Sequence, residues 1–140
     1  MTRDVLLARW TEVGDKVVAL AEAVPEAKYE WRPTPEARTF EGQLRHLAFW
    51  NSYAAATLRG EKPDGQANEL PAADYPTKAK LVRAVKGSFV EVGKQLQHGP
   101  ASPEATAVDT LASFLAHGAE HYGALAVYAR STGTVPPASR

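Results

Sequence analysis

An all-α four-helix bundle is the fold this sequence predicts, and three observations predict it. Four stretches carry apolar residues at gaps of three and four, each is closed by Gly or Pro, and none alternates with period two. At 140 residues the chain has the size of one domain with one core, so residues 1–140 are read as a single domain.

Helix one is expected from about Asp4 to Val24. Leu6, Trp10, Val13, Val17, Leu20 and Val24 form one apolar seam, and Pro25 ends it. Helix two starts after Thr39, a good N-cap with Glu41 in the first turn, and runs to about Arg59 before Gly60. Its stripe is Phe40, Leu44, Leu47, Trp50, Ala54 and Leu58. Helix three follows Pro76-Thr77, carries Leu81, Val85, Phe89, Val92 and Leu96, and stops at His98-Gly99-Pro100. Helix four is expected to begin between Thr106 and Asp109 and to end at Gly133, with Pro136-Pro137 beyond. The connections 25–39 and 60–76 are rich in Pro and charge. Each is about 15 residues long, whereas bundle loops usually take about 2–8, so a crossover or the cover of a site is expected there.

Composition excludes several functions. Sixteen basic residues balance sixteen acidic ones with no Lys/Arg cluster, which argues against a nucleic-acid partner. The absence of cysteine rules out disulfides, thiolate ligands and a Cys nucleophile within the chain. The opening MTRDVLLARW lacks a signal-peptide core and no run is long enough to cross a bilayer, so a cytoplasmic protein without membrane contact is expected.

The histidines need an explanation. In FLAHGAEHYGAL, His117 and His121 stand four apart on the stripe Thr110, Phe114, His117, His121, Leu125, Tyr128, which helix logic turns inward. A ring nitrogen leaving water needs a partner, so either local groups satisfy these rings or an ion sits between them. His46, in GQLRHLAFW, shares its face with Trp50 and Tyr53 and reads either as a hydrogen-bonded core residue or as a third ligand. Three histidines from two helices with an open fourth position would suit a catalytic metal. His98, in the last turn of helix three, reads as a solvated terminal residue. Trp50, Tyr53, Phe114 and Tyr128 are candidate pocket walls, though aromatics at helical spacing equally make a core. Arg32 and Arg45 read as surface residues.

His117-Gly118-Ala119-Glu120-His121 also spells H-x-x-E-H, the inverted zinc-peptidase signature. Those enzymes take a further acidic ligand downstream on a larger scaffold, and none of the 19 residues after His121 is Asp or Glu. Glu120 sits about 100° round the helix from His121, so a solvated or supporting role is preferred to base catalysis.

Taken together, YEWRPTPEARTF, TFEGQLRHLAFWNSY and FLAHGAEHYGALAVYARSTGTVPP resemble the DinB/YfiT-like superfamily, small bacterial four-helix bundles with a three-histidine metal site. The likeness spans nearly the whole chain. It places the ligands at His46, His117 and His121, followed by Gly123 and the ending Gly133-Thr134-Val135-Pro136-Pro137, and Trp31-Arg32-Pro33 matches the family's lead-in to helix two. The resemblance implies a divalent metal (Ni, Zn or Fe) and a small-molecule substrate. It further implies either thiol-dependent transfer or isomerisation, with mycothiol, bacillithiol or glutathione as co-substrate, or metal-dependent hydrolysis. Pairing of two chains through helices is also implied, and the apolar surface of helix one, including Leu7 and Trp10, would allow a homodimer. A non-catalytic metal-binding or dimerising stress-associated helical bundle is the alternative. A structural metal site in such a bundle would need a fourth protein ligand, and none stands in helical register with the other three.

Overall fold

The computed structural model describes residues 3–99 and 103–140. Four helices make up the fold: α1 (Arg3–Ala23), α2 (Phe40–Leu58), α3 (Lys78–Gln97) and α4 (Glu104–Ser131). Three single 3-10 turns accompany them, at Glu26–Lys28, Ala72–Asp74 and Pro137–Ser139, and no strand occurs among the described residues. None of these helices is long and apolar enough to cross a membrane.

The expected boundaries hold to within a residue or two, with one difference. α4 begins at Glu104, ahead of the expected Thr106–Asp109, its first turn closed by the Ala107 amide donating to the Pro103 carbonyl at 3.0 Å. Thr39 caps α2 as expected, its hydroxyl accepting from the Gly42 amide at 3.0 Å. Thr77 does the same for α3, accepting from Lys80 at 3.2 Å. Gly133, just past α4, takes a φ of 92°, a left-handed conformation that suits a residue without Cβ. Pro100, expected to stop the third helix, lies outside the described residues; His98 is exposed at that helix's end, as expected.

Cross-chain contacts fix the topology. α1 and α3 run antiparallel: the Trp10 indole donates to the Phe89 carbonyl at 2.9 Å, and the Lys78 ammonium donates to the carbonyls of Glu22 and Val24 at 2.7 Å each. α1 and α4 run parallel, with Arg3 paired to Glu104 and Val13 packed on Gly118. α2 lies between α3 and α4 on the far side from α1. It is parallel to α3, joined by the buried Asn51–Ser88 hydrogen bond at 3.1 Å, and antiparallel to α4. The order is therefore up, down, down, up.

That topology explains the length of the second connection. Two consecutive helices that run the same way force the chain from Arg59 to Thr77 to travel back along a helix of about 30 Å. A tight turn cannot do this. The returning chain passes beside the middle of α2, where the Leu70 amide donates to the Arg45 carbonyl at 3.3 Å. The core inside the bundle takes Leu6, Trp10, Val17 and Leu20 from α1, with Leu44, Leu47, Val85, Phe89, Leu111 and Leu125 from the other three helices.

Candidate metal centre

On α2, Gln43, His46 and Trp50 follow one another at gaps of three and four; on α4, Phe114, His117 and His121 do the same. Antiparallel packing turns these two faces into a ladder. Trp50 meets Phe114 with ring centroids 6.3 Å apart, His46 meets His117 at 5.2 Å, and Gln43 meets His121 through a 2.7 Å hydrogen bond. His121 also packs on His46 at 4.7 Å and on His117 at 4.4 Å between centroids. One ring nitrogen from each of the three histidines falls within 4.8 Å of the other two, a group that can hold a metal ion.

The outer nitrogens are partly fixed. The His46 Nδ1 donates to the carbonyl of Asn68 at 2.8 Å, and the His121 Nδ1 donates to Gln43 Oε1. Such bonds set the tautomer, so the Nε2 lone pairs of both rings are left for an ion. His46 Nε2 and His117 Nε2 lie 3.2 Å apart. Two nitrogens each bonded to one tetrahedral ion would stand about 3.3 Å apart.

The third ring shows why an ion fits. The Nδ1 of His117 is buried with no hydrogen-bond partner. If its proton is on Nε2 and donated to His46, Nδ1 is an unsatisfied acceptor; if the proton is on Nδ1, two lone pairs face each other across 3.2 Å. A cation between the Nε2 atoms removes that repulsion.

Electrostatics also favour neutral rings. Burial, reinforced by the neighbouring rings and the Arg38 guanidinium, holds His117 and His121 down at about 4. His46 is lowered as well, chiefly by burial and against the pull of its bond to Asn68. Unprotonated imidazoles are the form that binds metal.

The sequence-predicted residues fall into place unevenly. His117, His121 and Phe114 are only half-buried, because their part of α4 faces the rim between α2 and the returning chain, while Thr110, Leu125 and Tyr128 on the same stripe are buried. A cleft of about 410 Å³ opens on two members of the triad, His46 and His117, and is lined further by Trp50, Asn68, Ser113 and Phe114. Tyr53 backs its wall, with its ring 4.9 Å from that of Trp50. Tyr128 stands apart from these three. It lies at the other end of the ladder, edge-on to Trp31 at 5.4 Å, with its hydroxyl donating to the Arg38 carbonyl at 2.9 Å. There it borders a separate polar cleft with Gln43, Asn68 and the Arg38–Glu69 ion pair.

Arg45 corrects the surface reading: its side chain is only 11% exposed and is paired with Glu41 at 3.4 Å. Arg32 is exposed as expected, and so is Glu120, which is not among the donor group. Sequence reasoning missed Gln43 and Asn68. Gln43 was detectable, standing three residues before His46 on the same helical face. Asn68 carried no signal, because it reaches the site through its main chain from a loop.

The sequence profile of the DinB superfamily matches residues 9–125, which include all three histidines. The chain belongs to the DinB superfamily. No curated protein matches it.

Proposed function

We propose that this chain is a metal-dependent enzyme that takes a low-molecular-weight thiol from solution and uses it to modify or isomerise a small molecule. The observation that carries the proposal is the three-sided site: His46, His117 and His121 converge with no fourth donor in their group among the described residues, and a cleft opens beside them. A structural site would be closed by a fourth ligand. When bound, a divalent ion suited to imidazole, such as Zn, Ni or Fe, supplies positive charge that lowers the pKa of a neighbouring water or thiol.

The chain's own residues do the rest. The three imidazoles hold the ion, and Gln43 and the Asn68 carbonyl orient two of them. Trp50 and Phe114 give one side of the cleft an apolar wall for the substrate. None of the residues lining this cleft is Asp or Glu, and Glu69 in the neighbouring cleft is held by Arg38 at 2.9 Å, which favours thiol chemistry over hydrolysis at the same centre. A thiol would be a cytoplasmic co-substrate, and a cytoplasmic location belongs to the same reading.

The test is metal content by mass spectrometry on untagged protein, wild type and His117→Ala, followed by thiol titration of the loaded wild type. Near one equivalent of metal, lost in the variant, and a thiol-dependent spectral change support the reading. Metal-free wild type that stays so after incubation with Zn and Ni salts overturns the metal site. Loaded protein that ignores thiols but hydrolyses esters or amides moves the assignment to a hydrolase.

A homodimer completes the proposal. A groove of about 500 Å³ between α1 and α3 is lined by the half-buried Leu7 and Val18 and the exposed Val90, with the buried Phe89 beneath them. Its α1 rim carries Asp15 and Glu22, and its α3 rim Lys86 and Lys94. A two-fold axis along the groove lays each acidic rim on the partner's basic rim, so the occupant that fits is a second copy of this chain.

A further inference from the structure

Asn68 is the one described non-glycine residue with a positive φ, 62°. Two of its groups face the site at once. Its main-chain carbonyl accepts from His46 Nδ1 at 2.8 Å, and its side-chain Oδ1 accepts from the Trp50 indole at 2.9 Å. It also lines both clefts that flank the triad. The residues after it are tied down separately: Glu69 pairs with Arg38 at 2.9 Å, and the Leu70 amide donates to the Arg45 carbonyl at 3.3 Å. Earlier in the loop, Gly65 lies so close to the Trp50 ring that a Cβ there would meet it at 2.7 Å.

We propose that Asn68 is a positioning residue that links the metal ligand His46 to the cleft wall Trp50, its main chain serving the ligand and its side chain the wall. The inference rests on the triad holding a metal, as proposed above. The physical case has two parts. A carbonyl on the outer nitrogen of a ligating histidine fixes the ring and raises its basicity, and loss of such a partner typically costs about 10–100-fold in metal affinity. The carbonyl is aimed correctly only while residue 68 stays left-handed, a conformation asparagine tolerates and a β-branched residue does not. The side-chain bond is separable from this, because glycine permits the same left-handed backbone without strain and removes the amide.

The two halves can therefore be tested apart. Co²⁺ is titrated into wild type, Asn68→Gly, Asn68→Val and Trp50→Phe, following visible absorption for affinity. The indole N–H resonance of Trp50 is followed in ¹H–¹⁵N spectra of the metal-free proteins, and far-UV circular dichroism checks the helices. Asn68→Gly should bind Co²⁺ within about threefold of wild type yet shift the Trp50 indole resonance, and Trp50→Phe should leave Co²⁺ affinity equally unaffected. Asn68→Val should bind about tenfold or more weakly with helicity unchanged. Equal affinity in wild type and Asn68→Val overturns the inference while leaving the metal site standing. So does a glycine variant as weak as the valine one, or an unmoved indole resonance. Wild type that takes up no Co²⁺ overturns the metal reading, and this inference with it.

Discussion

The Nε2 atoms of His46 on α2 and His117 on α4 lie 3.2 Å apart, while the Nδ1 of His117 is buried and unpartnered. A pair of this kind is poorly satisfied by protein atoms alone and well satisfied by a cation. Adding a metal should therefore stabilise the fold. At a free concentration a hundred times Kd the gain is about 2.7 kcal/mol. A raised melting temperature with Zn²⁺ or Ni²⁺ for wild type, absent in His117→Ala, is the expected calorimetric result.

Acid should weaken the metal-free protein through these same rings. Folded His117 and His121 titrate at about 4, against 6.5 in an ordinary setting. Between those values the unfolded chain binds more protons than the folded one, so the contribution is complete above about 6.5 and is lost as pH falls toward about 4. Urea midpoints measured with chelator present should fall over that window. The fall should be shallower in a His117→Ala/His121→Ala double variant; equal slopes would contradict the burial of neutral rings.

Gln43 should matter to metal binding although it is no ligand. It holds His121 Nδ1 at 2.7 Å, so Gln43→Leu removes the acceptor that orients the ring. Metal affinity should drop by about 10–100-fold with the helical spectrum unchanged. Affinity equal to wild type would show that packing against His46 and His117 orients the ring without Gln43.

Gly14 sets how closely α1 and α3 approach. An added Cβ would meet the Phe89 ring at 2.9 Å, near the base of that side chain where it has little room to move. Gly14→Ala gains about 1 kcal/mol of helix propensity but incurs about 1–3 kcal/mol of overpacking. The variant should be destabilised by up to about 2 kcal/mol in urea unfolding. A more stable variant would mean the helices can separate at little cost.

The proposed dimer makes a charge-reversal prediction. Lys86→Glu should lower the mass seen by light scattering toward that of one chain, and Asp15→Lys added to it should restore the pair. Both residues border the α1/α3 groove, away from the triad, so metal content should not change. Wild type that is a monomer at all concentrations tested would remove the dimer from the proposal.

Local chemistry alone determined much of this protein. Apolar spacing of three and four specified four helices, Thr39 and Thr77 marked two of their starts, and Gly133 marked the end of the last. The His-x-x-x-His spacing put two imidazoles on one face. These features are legible because a helix places its side chains by sequence distance alone. Tertiary structure decided the rest. Only the antiparallel register of α2 and α4 brings His46 level with His117 and Trp50 level with Phe114, and only the fold leaves the Arg45 side chain 11% exposed. Asn68 is the extreme case, since it acts on His46 through a carbonyl that every residue possesses. A main-chain group acquires such a role from where the fold carries it, and no side-chain pattern records that position.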